Sequence, residues 1–213
     1  MELKVQSNGF SRDCAALITA KAVTLNRYKA DVFAGKRMNR GLTLSEKQLA
    51  ETVFQNALDY ERIRIHDGKY MFFQANNVLM TPNGQIYAPG SMYRKDYAAE
   101  ELNYRELFIH ELAHVWQYQI GVLIPKLSGL IEFIKNGFNY NKAYPYVLES
   151  GRDLIDYGME QQAAMVADYF LVEKSGEGFG RHNANTESAE RKRELLTEVM
   201  AKFVANPRYA SSE

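Results

Sequence analysis

The spacing of apolar residues predicts a mainly helical chain. Apolar positions recur with a helical period in four stretches, residues 12–28, 98–119, 159–174 and 187–205. A further helix is predicted to begin at Ser45, because Gln48 follows three residues later in a capping-box arrangement. Gly121 stands where the residue after a helix belongs. Helices are therefore predicted in both the N-terminal and the C-terminal half of the sequence.

Between these helices the apolar pattern changes to the period of two that is typical of strands. Ile63 and Ile65 alternate with charged residues, and Asp67-Gly68 predicts a hairpin turn into a returning strand at 69–73. A second hairpin is predicted to pair residues 78–80 with residues 85–88. Segregated strands and helices favour an α+β fold over alternating βαβ units.

We therefore predict a single α+β domain over residues 1–213, with its core at about 45–176. Flanking helices are expected at 12–28 and 187–205. The small antiparallel sheet is expected to lie beside the helix of residues 98–119.

Composition and charge narrow the classes of function. The 213 residues include 26 Lys and Arg against 26 Asp and Glu, so there is no net charge that would favour nucleic acid or an anionic membrane surface. The single cysteine, Cys14, excludes an intramolecular disulfide and is interpreted as a small buried residue. Residues 1–13 are polar, which predicts no Sec-type signal peptide. The apolar stretch 120–134 is interrupted by polar residues and is too short to span a bilayer. It is interpreted as a mobile flap over an active-site cleft or as a buried or partner-contacting segment.

A short motif in the central helix predicts metal chemistry. Residues 110–114 read His-Glu-Leu-Ala-His, and positions four apart lie on the same helix face. His110 and His114 can therefore converge on one ion at about 2.0–2.1 Å, the usual Zn–N distance. Glu111, rotated away from that line, can accept a proton from a metal-bound water. The alternative is a pair of ordinary helix histidines.

A third ligand is expected from the helix of residues 159–174. Glu160 lies in its first turn beside small alanines, and a carboxylate on such an inward face would need a cation to neutralise it. The alternative is a glutamate that complements the helix dipole. If Glu160 is not the ligand, the next choices are His182, Glu149, Asp153 and Asp156. We interpret His66 as a structural or surface residue.

The quoted residues carry a resemblance to a known family. The HELAH motif followed by a downstream glutamate resembles gluzincin-type zinc metallopeptidases. More narrowly, residues 110–117, 157–163 and 168–170 are similar to metallopeptidase-like domains associated with type VI secretion VgrG and Rhs proteins. The resemblance implies a zincin-like fold, a Zn²⁺ ion on His110, His114 and Glu160, and Glu111 as the catalytic base. Ala164 stands where thermolysin-like enzymes carry an aspartate, so Asp168 is either a residue that orients a ligand histidine or an exposed acid.

The resemblance also implies a function. We expect a zinc-dependent endopeptidase, made in the bacterial cytoplasm and exported as an effector or toxin into the periplasm of a target cell without a Sec signal. Its expected partners are a peptide or protein substrate and the VgrG or Rhs machinery or an immunity protein, with neither nucleic acid nor a transmembrane segment. Two alternatives stay open, a catalytically silent binding or adaptor protein and a cell-wall amide hydrolase.

Two further parts of the site are expected from general zincin chemistry. The strand of residues 85–89 is expected to pair with an extended substrate, because Pro89 would end the pairing. The oxyanion needs a second donor, and the sequence offers five side chains without selecting one: Tyr140, Tyr144, Tyr146, Tyr157 and His182.

Overall fold

The computed structural model describes residues 39–72, 74–121 and 143–211. The chain divides into two units, Met1–Met38 and Asn39–Glu213, and every described residue belongs to the second unit. The predicted helix at 12–28, Cys14 and nearly all of the apolar stretch 120–134 lie outside the described residues. The single domain predicted over the whole chain stays a prediction.

The described residues form four α-helices and three short strands, together with short 3-10 turns. In chain order these are β1 (Asn39–Arg40), α1 (Leu44–Phe54), β2 (Ile65–Asp67), β3 (Ile86–Ala88), α2 (Leu102–Gln119), α3 (Met159–Tyr169) and α4 (Ala189–Ala205). A π-helical segment, Phe170–Lys174, continues α3, and Gly176 follows with a φ of 71°. No helix in this part of the chain is long and apolar enough to cross a bilayer.

The sheet is small and mixed, with the order β1-β2-β3. β1 and β2 are antiparallel, whereas β2 and β3 are parallel. The prediction of an antiparallel sheet is therefore wrong for the second pair. The predicted return strand at 69–73 is also wrong for its described residues, 69–72, because both edges of β2 are already occupied by β1 and β3.

Part of the second predicted hairpin is present. Met80 and Tyr87 form an antiparallel bridge in which each N–H donates to the other residue's carbonyl, at 3.1 and 2.9 Å. The chain reverses at Gly84, whose φ of 72° favours glycine. A Cβ at Gly84 would lie 2.5 Å from Cδ1 of Tyr118, so a glycine also lets the turn approach α2.

The N-terminus of α1 differs from its predicted position. Thr43, and not Ser45, is the capping residue, and its hydroxyl accepts the N–H of Glu46. Glu46 accepts the N–H of Thr43 in return and forms a bidentate ion pair with Arg40, at 2.6 and 2.7 Å. Because Arg40 lies in β1, the capping glutamate also ties the sheet to α1.

The core forms where α2 packs against α3 and α4. Four apolar residues of α2 are fully buried: Phe108, Leu112, Val115 and Trp116. The Trp116 ring packs edge-on against Phe203 of α4, and its indole N–H donates to the carbonyl of Pro207 at 2.7 Å. The described fold is α+β and mostly helical, which is compatible with the predicted class. The zincin-like fold stays a prediction.

Candidate metal centre

Helix α2 presents the histidine motif at the interior of the domain. His110, Glu111 and His114 are each less than a tenth exposed. The two imidazole rings are 5.0 Å apart and nearly perpendicular. An uninterrupted helix thus holds both histidines on one face and Glu111 beside them.

Helix α3 brings Glu160 to the same point. Its Oε2 lies 3.2 Å from Nε2 of His114 and 3.5 Å from Nε2 of His110. Ala163, Ala164 and Ala167 are buried, as expected for a close approach of α2 and α3. The structure therefore brings together the three predicted ligand residues, although Glu160 lies 46 positions after His114 along the chain.

The distances within this cluster fit a tetrahedral ion. The ligand atoms of His110, His114 and Glu160 all lie within 4.8 Å of one another. A tetrahedral zinc ion with bonds of about 2.0–2.1 Å holds neighbouring ligand atoms about 3.3–3.4 Å apart. The distances from Oε2 of Glu160 to Nε2 of His114 and Nε2 of His110 lie within about 0.2 Å of that separation. The donor set, two imidazoles and one carboxylate, is also one that catalytic zinc uses.

Without a metal, the cluster is held by charge. Burial opposes ionisation of both partners. The Glu160 carboxylate nevertheless raises the pKa of His114 to about 9, against an ordinary value of 6.5. Despite its burial, Glu160 has a pKa held well below its usual range by the charge on His114 and by hydrogen bonds from both histidines. The site is therefore already arranged around an anionic carboxylate.

A buried glutamine contacts both ligand-bearing helices. Oε1 of Gln117 lies 2.8 Å from Nδ1 of His114. Its Nε2 donates to the carbonyl of Met159 and to Oε1 of Gln162, both at 2.9 Å. Nε2 of Gln162 in turn donates to the carbonyl of Tyr157 at 2.7 Å. No separate role was predicted for Gln117 from the sequence, although its place three residues after His114 puts it on the same helix face.

Glu111 is oriented by a residue that the sequence did not reveal. The hydroxyl of Thr81 donates to Oε2 of Glu111 at 2.6 Å, and both side chains are buried. Thr81 directly follows Met80 of the antiparallel bridge, so the sheet region positions the carboxylate. No local signal relates two residues thirty positions apart.

Two of the five predicted oxyanion donors lie beside the cluster. The Tyr144 ring lies 5.6 Å from the ring of His110 and stacks on His182 at 4.9 Å. Burial and the neighbouring positive charges of Arg181 and His110 lower the pKa of His182 to about 4. His182 is not one of the three clustered ligands. Tyr140 lies outside the described residues.

The other two donors are engaged elsewhere. The Tyr157 hydroxyl accepts the N–H of Glu149 at 3.0 Å. The Tyr146 hydroxyl donates to the buried carboxylate of Asp168, whose other oxygen accepts the N–H of Gly180 at 2.6 Å. These partners contradict both expectations for Asp168, since it is neither exposed nor hydrogen-bonded to a ligand histidine. It instead connects α3 to the segment that carries His182.

The alternative ligands also have other partners. Asp153 pairs with Lys202, Glu149 with Arg152, and Asp156 accepts the N–H of Asp153. His66 stacks on Tyr87 within the sheet, in keeping with a structural role.

The expected substrate strand at 85–89 is not a free edge. Ile86 donates to Arg64 and Ala88 accepts from Gly68, while Tyr87 uses both backbone groups on Met80. This expectation is therefore wrong, because hydrogen bonds occupy both sides of β3. Among the described residues, no backbone group pairs with the N–H or carbonyl of Leu79 or Thr81. The residues on either side of such a bridged residue point their N–H and C=O groups away from the partner strand.

Comparison with known proteins gives the family. The chain matches no protein-family model. It is 38% identical over 161 residues to the type VI secretion system spike protein VgrG2b of Pseudomonas aeruginosa, a match that covers 75% of this chain but only 15% of that protein. A solved structure, the effector domain of the same VgrG2b, is 32% identical with a TM-score of 0.55, covering 77% of this chain and 81% of that domain.

These matches define a homologue of a type VI secretion effector domain. The chain belongs to the family of the VgrG2b effector domain. It spans about a seventh of the length of the curated spike protein that it matches.

Proposed function

We propose that the chain is a zinc-dependent endopeptidase of zincin type, with Zn²⁺ held by His110, His114 and Glu160. The observation that carries the proposal is the convergence of these three side chains at distances suited to a tetrahedral ion, with Glu111 buried beside them. Metal binding alone does not need Glu111. Its placement therefore favours catalysis over a purely structural metal.

Zinc in such a site supplies a Lewis acid that lowers the pKa of a coordinated water to about 7 and polarises a substrate carbonyl. The protein supplies the proton transfers. Glu111 accepts a proton from the attacking water and returns it to the leaving amine. The hydrogen bond from Thr81 engages Oε2 of Glu111, so we assign the proton transfers to Oε1.

Tyr144 and His182 are the side chains best placed to donate a hydrogen bond to the developing oxyanion. The Tyr144 ring lies 5.6 Å from the ring of His110, and His182 stacks on Tyr144. A donor at this position stabilises the charge that develops in the transition state.

The substrate is an extended peptide that pairs with the backbone of Leu79 and Thr81. These residues flank the Met80–Tyr87 bridge, and Thr81 contacts the catalytic carboxylate directly. An added strand at this edge would present its backbone beside Glu111. Main-chain pairing of this kind is suited to cleavage within a chain.

Family membership supports a biological setting for this activity. We place the chain as a type VI secretion effector that leaves the bacterial cytoplasm with the VgrG machinery and acts as a toxin in the periplasm of a target cell. An immunity protein would be its partner in the producing bacterium.

The deciding experiment compares the zinc-loaded chain with its Glu111→Gln variant on β-casein, a disordered protein, with peptide products followed by mass spectrometry. The proposal expects cleavage by the wild type and none by the variant, with one zinc per chain in both. Glu173→Gln, an exposed acid on the π-helical segment, is the matched control and should cleave normally. Zinc binding without cleavage of casein would favour an adaptor, and cleavage of cell-wall peptides alone would favour an amide hydrolase.

A further inference from the structure

Among the described residues, a buried series of hydrogen-bonded side-chain amides ends at the metal site. It runs from the carbonyl of Tyr157 through Gln162 and Gln117 to Nδ1 of His114. Gln117 and Gln162 are both at most 1% exposed, so water cannot replace any of these partners. Each amide must therefore be oriented by its protein neighbours.

Two backbone carbonyls fix that orientation. The carbonyl oxygens of Met159 and Tyr157 can only accept hydrogen bonds, so the amide groups facing them must be the NH₂ ends of Gln117 and Gln162. Turning the Gln117 amide over would place its oxygen against the Met159 carbonyl. Turning both amides would place the Gln162 oxygen against the Tyr157 carbonyl. Neither alternative satisfies the buried groups.

The fixed orientation determines the state of His114. Since Oε1 of Gln117 is an acceptor, Nδ1 of His114 must carry a proton and donate it across 2.8 Å. The lone pair of a neutral His114 is then at Nε2, the nitrogen that faces Glu160 at 3.2 Å. The opposite tautomer would put a hydrogen where a metal has to bind.

Gln117 also contacts the turn that carries Glu160. It binds Met159, the residue before the carboxylate, and Gln162, the second residue after it. Gln117 on α2 therefore contacts His114 on its own helix and the residues before and after Glu160 on α3.

We infer that Gln117 is the positioning residue of the metal centre: it sets the tautomer of His114 and holds the first turn of α3 at the distance that zinc requires. The inference rests on the metal site of the proposed function but not on the proposed peptidase activity. Partners of zinc-bound histidines of this kind typically change metal affinity by about 10- to 100-fold.

The test measures zinc affinity by competition with a chelator in the full chain and three variants. Gln117→Met has a similar shape without an acceptor, so its dissociation constant for zinc should rise by about 10- to 100-fold. Gln117→Glu keeps an acceptor for Nδ1 but sets its second oxygen against the Met159 carbonyl, so its zinc affinity should also fall although the acceptor stays in place. Gln119→Met, the same change two residues later at a side chain that contacts Asp59, is the matched control and should bind like the wild type.

A spectroscopic measurement separates positioning from packing. In ¹H–¹⁵N spectra of the zinc-loaded wild type and Gln117→Glu, the Nδ1 proton of His114 should give a protected signal, and in Gln117→Met that signal should exchange with water. Wild-type affinity and a protected proton in Gln117→Met would overturn the inference and leave the proposed function intact. An unprotected Nδ1 proton in Gln117→Glu would also overturn it, because the acceptor would then be irrelevant to the tautomer of His114. A wild type that binds no zinc would defeat both.

If Gln117→Met does not fold, Gln162→Met provides the second comparison. It keeps the Met159 carbonyl that orients Gln117, so its dissociation constant for zinc should rise by less than about 10-fold. A rise of about 10-fold or more in Gln162→Met would contradict the role given to Gln117.

Discussion

Replacing Glu160 with glutamine tests the charge pairing within the site before any metal is added. The change keeps the shape of the side chain and removes its charge 3.2 Å from Nε2 of His114. At an effective dielectric constant of about 20, two unit charges at that distance attract by about 5 kcal/mol. This energy corresponds to about four pH units in the pKa of the imidazole, which is more than the rise from 6.5 to about 9 in the intact site.

We therefore expect burial to dominate in metal-free Glu160→Gln. The pKa of His114 should fall from about 9 to below 6.5. The measurement is an NMR titration of the four histidines in protein stripped of metal by a chelator. His66, which stacks on Tyr87 in the sheet, is the internal control and should titrate identically in both proteins.

The same change has a consequence for stability with a definite sign. A histidine whose pKa is raised by folding contributes stability that is complete below pH 6.5 and is lost as the pH rises through about 9. Metal-free wild type should lose this contribution over that interval, whereas Glu160→Gln should not. A pKa of His114 that stays above 8 in the variant would refute the assigned pairing.

Three further predictions follow from other contacts. Burial raises the pKa of Asp168 from 3.8 to about 6, so the unfolding free energy of the wild type should fall by about 3 kcal/mol as the pH rises from 4 to 6. Urea denaturation should show a flatter pH profile for Asp168→Asn. Gly84→Ala should lower the unfolding free energy by about 2–4 kcal/mol, because its backbone would be strained and its Cβ would press against Tyr118. Gly178→Ala, whose Cβ would enter open space, should change the unfolding free energy by less than about 0.5 kcal/mol. Equal effects of the two changes would contradict the packing. At least one of Tyr144→Phe and His182→Gln should lower kcat by about 10²–10³-fold with zinc content unchanged, and normal kcat in both would refute the oxyanion assignment.

Local chemistry made the candidate site predictable from the sequence. The four-residue spacing of His110 and His114 requires only a helix, and the structure provides one from Leu102 to Gln119. Glu160 followed from its position beside small alanines, because a carboxylate in that setting needs a cation. Gln117 was equally accessible by helix spacing, but its role depends on Met159 and Gln162, which only the folded chain brings near.

Contacts between distant segments account for the errors in the sheet and at Asp168. Strand pairing depends on which segments the fold brings against β2, and β1 and β3 occupy edges that a local hairpin would have used. The Thr43 cap has a local cause: Thr43 with Glu46 and Ser45 with Gln48 both have the capping-box spacing, and the structure uses the first pair. Asp168 was misinterpreted because its partners, Tyr146 and Gly180, come from two other segments.

The most direct test of the account is anomalous diffraction at the zinc absorption edge from crystals of the zinc-loaded chain. The account predicts one peak per chain, about 2.0–2.2 Å from Nε2 of His110, Nε2 of His114 and a carboxylate oxygen of Glu160. A zinc peak bound by other residues, or a zinc-soaked crystal with Glu160 turned away from both imidazoles, would contradict it.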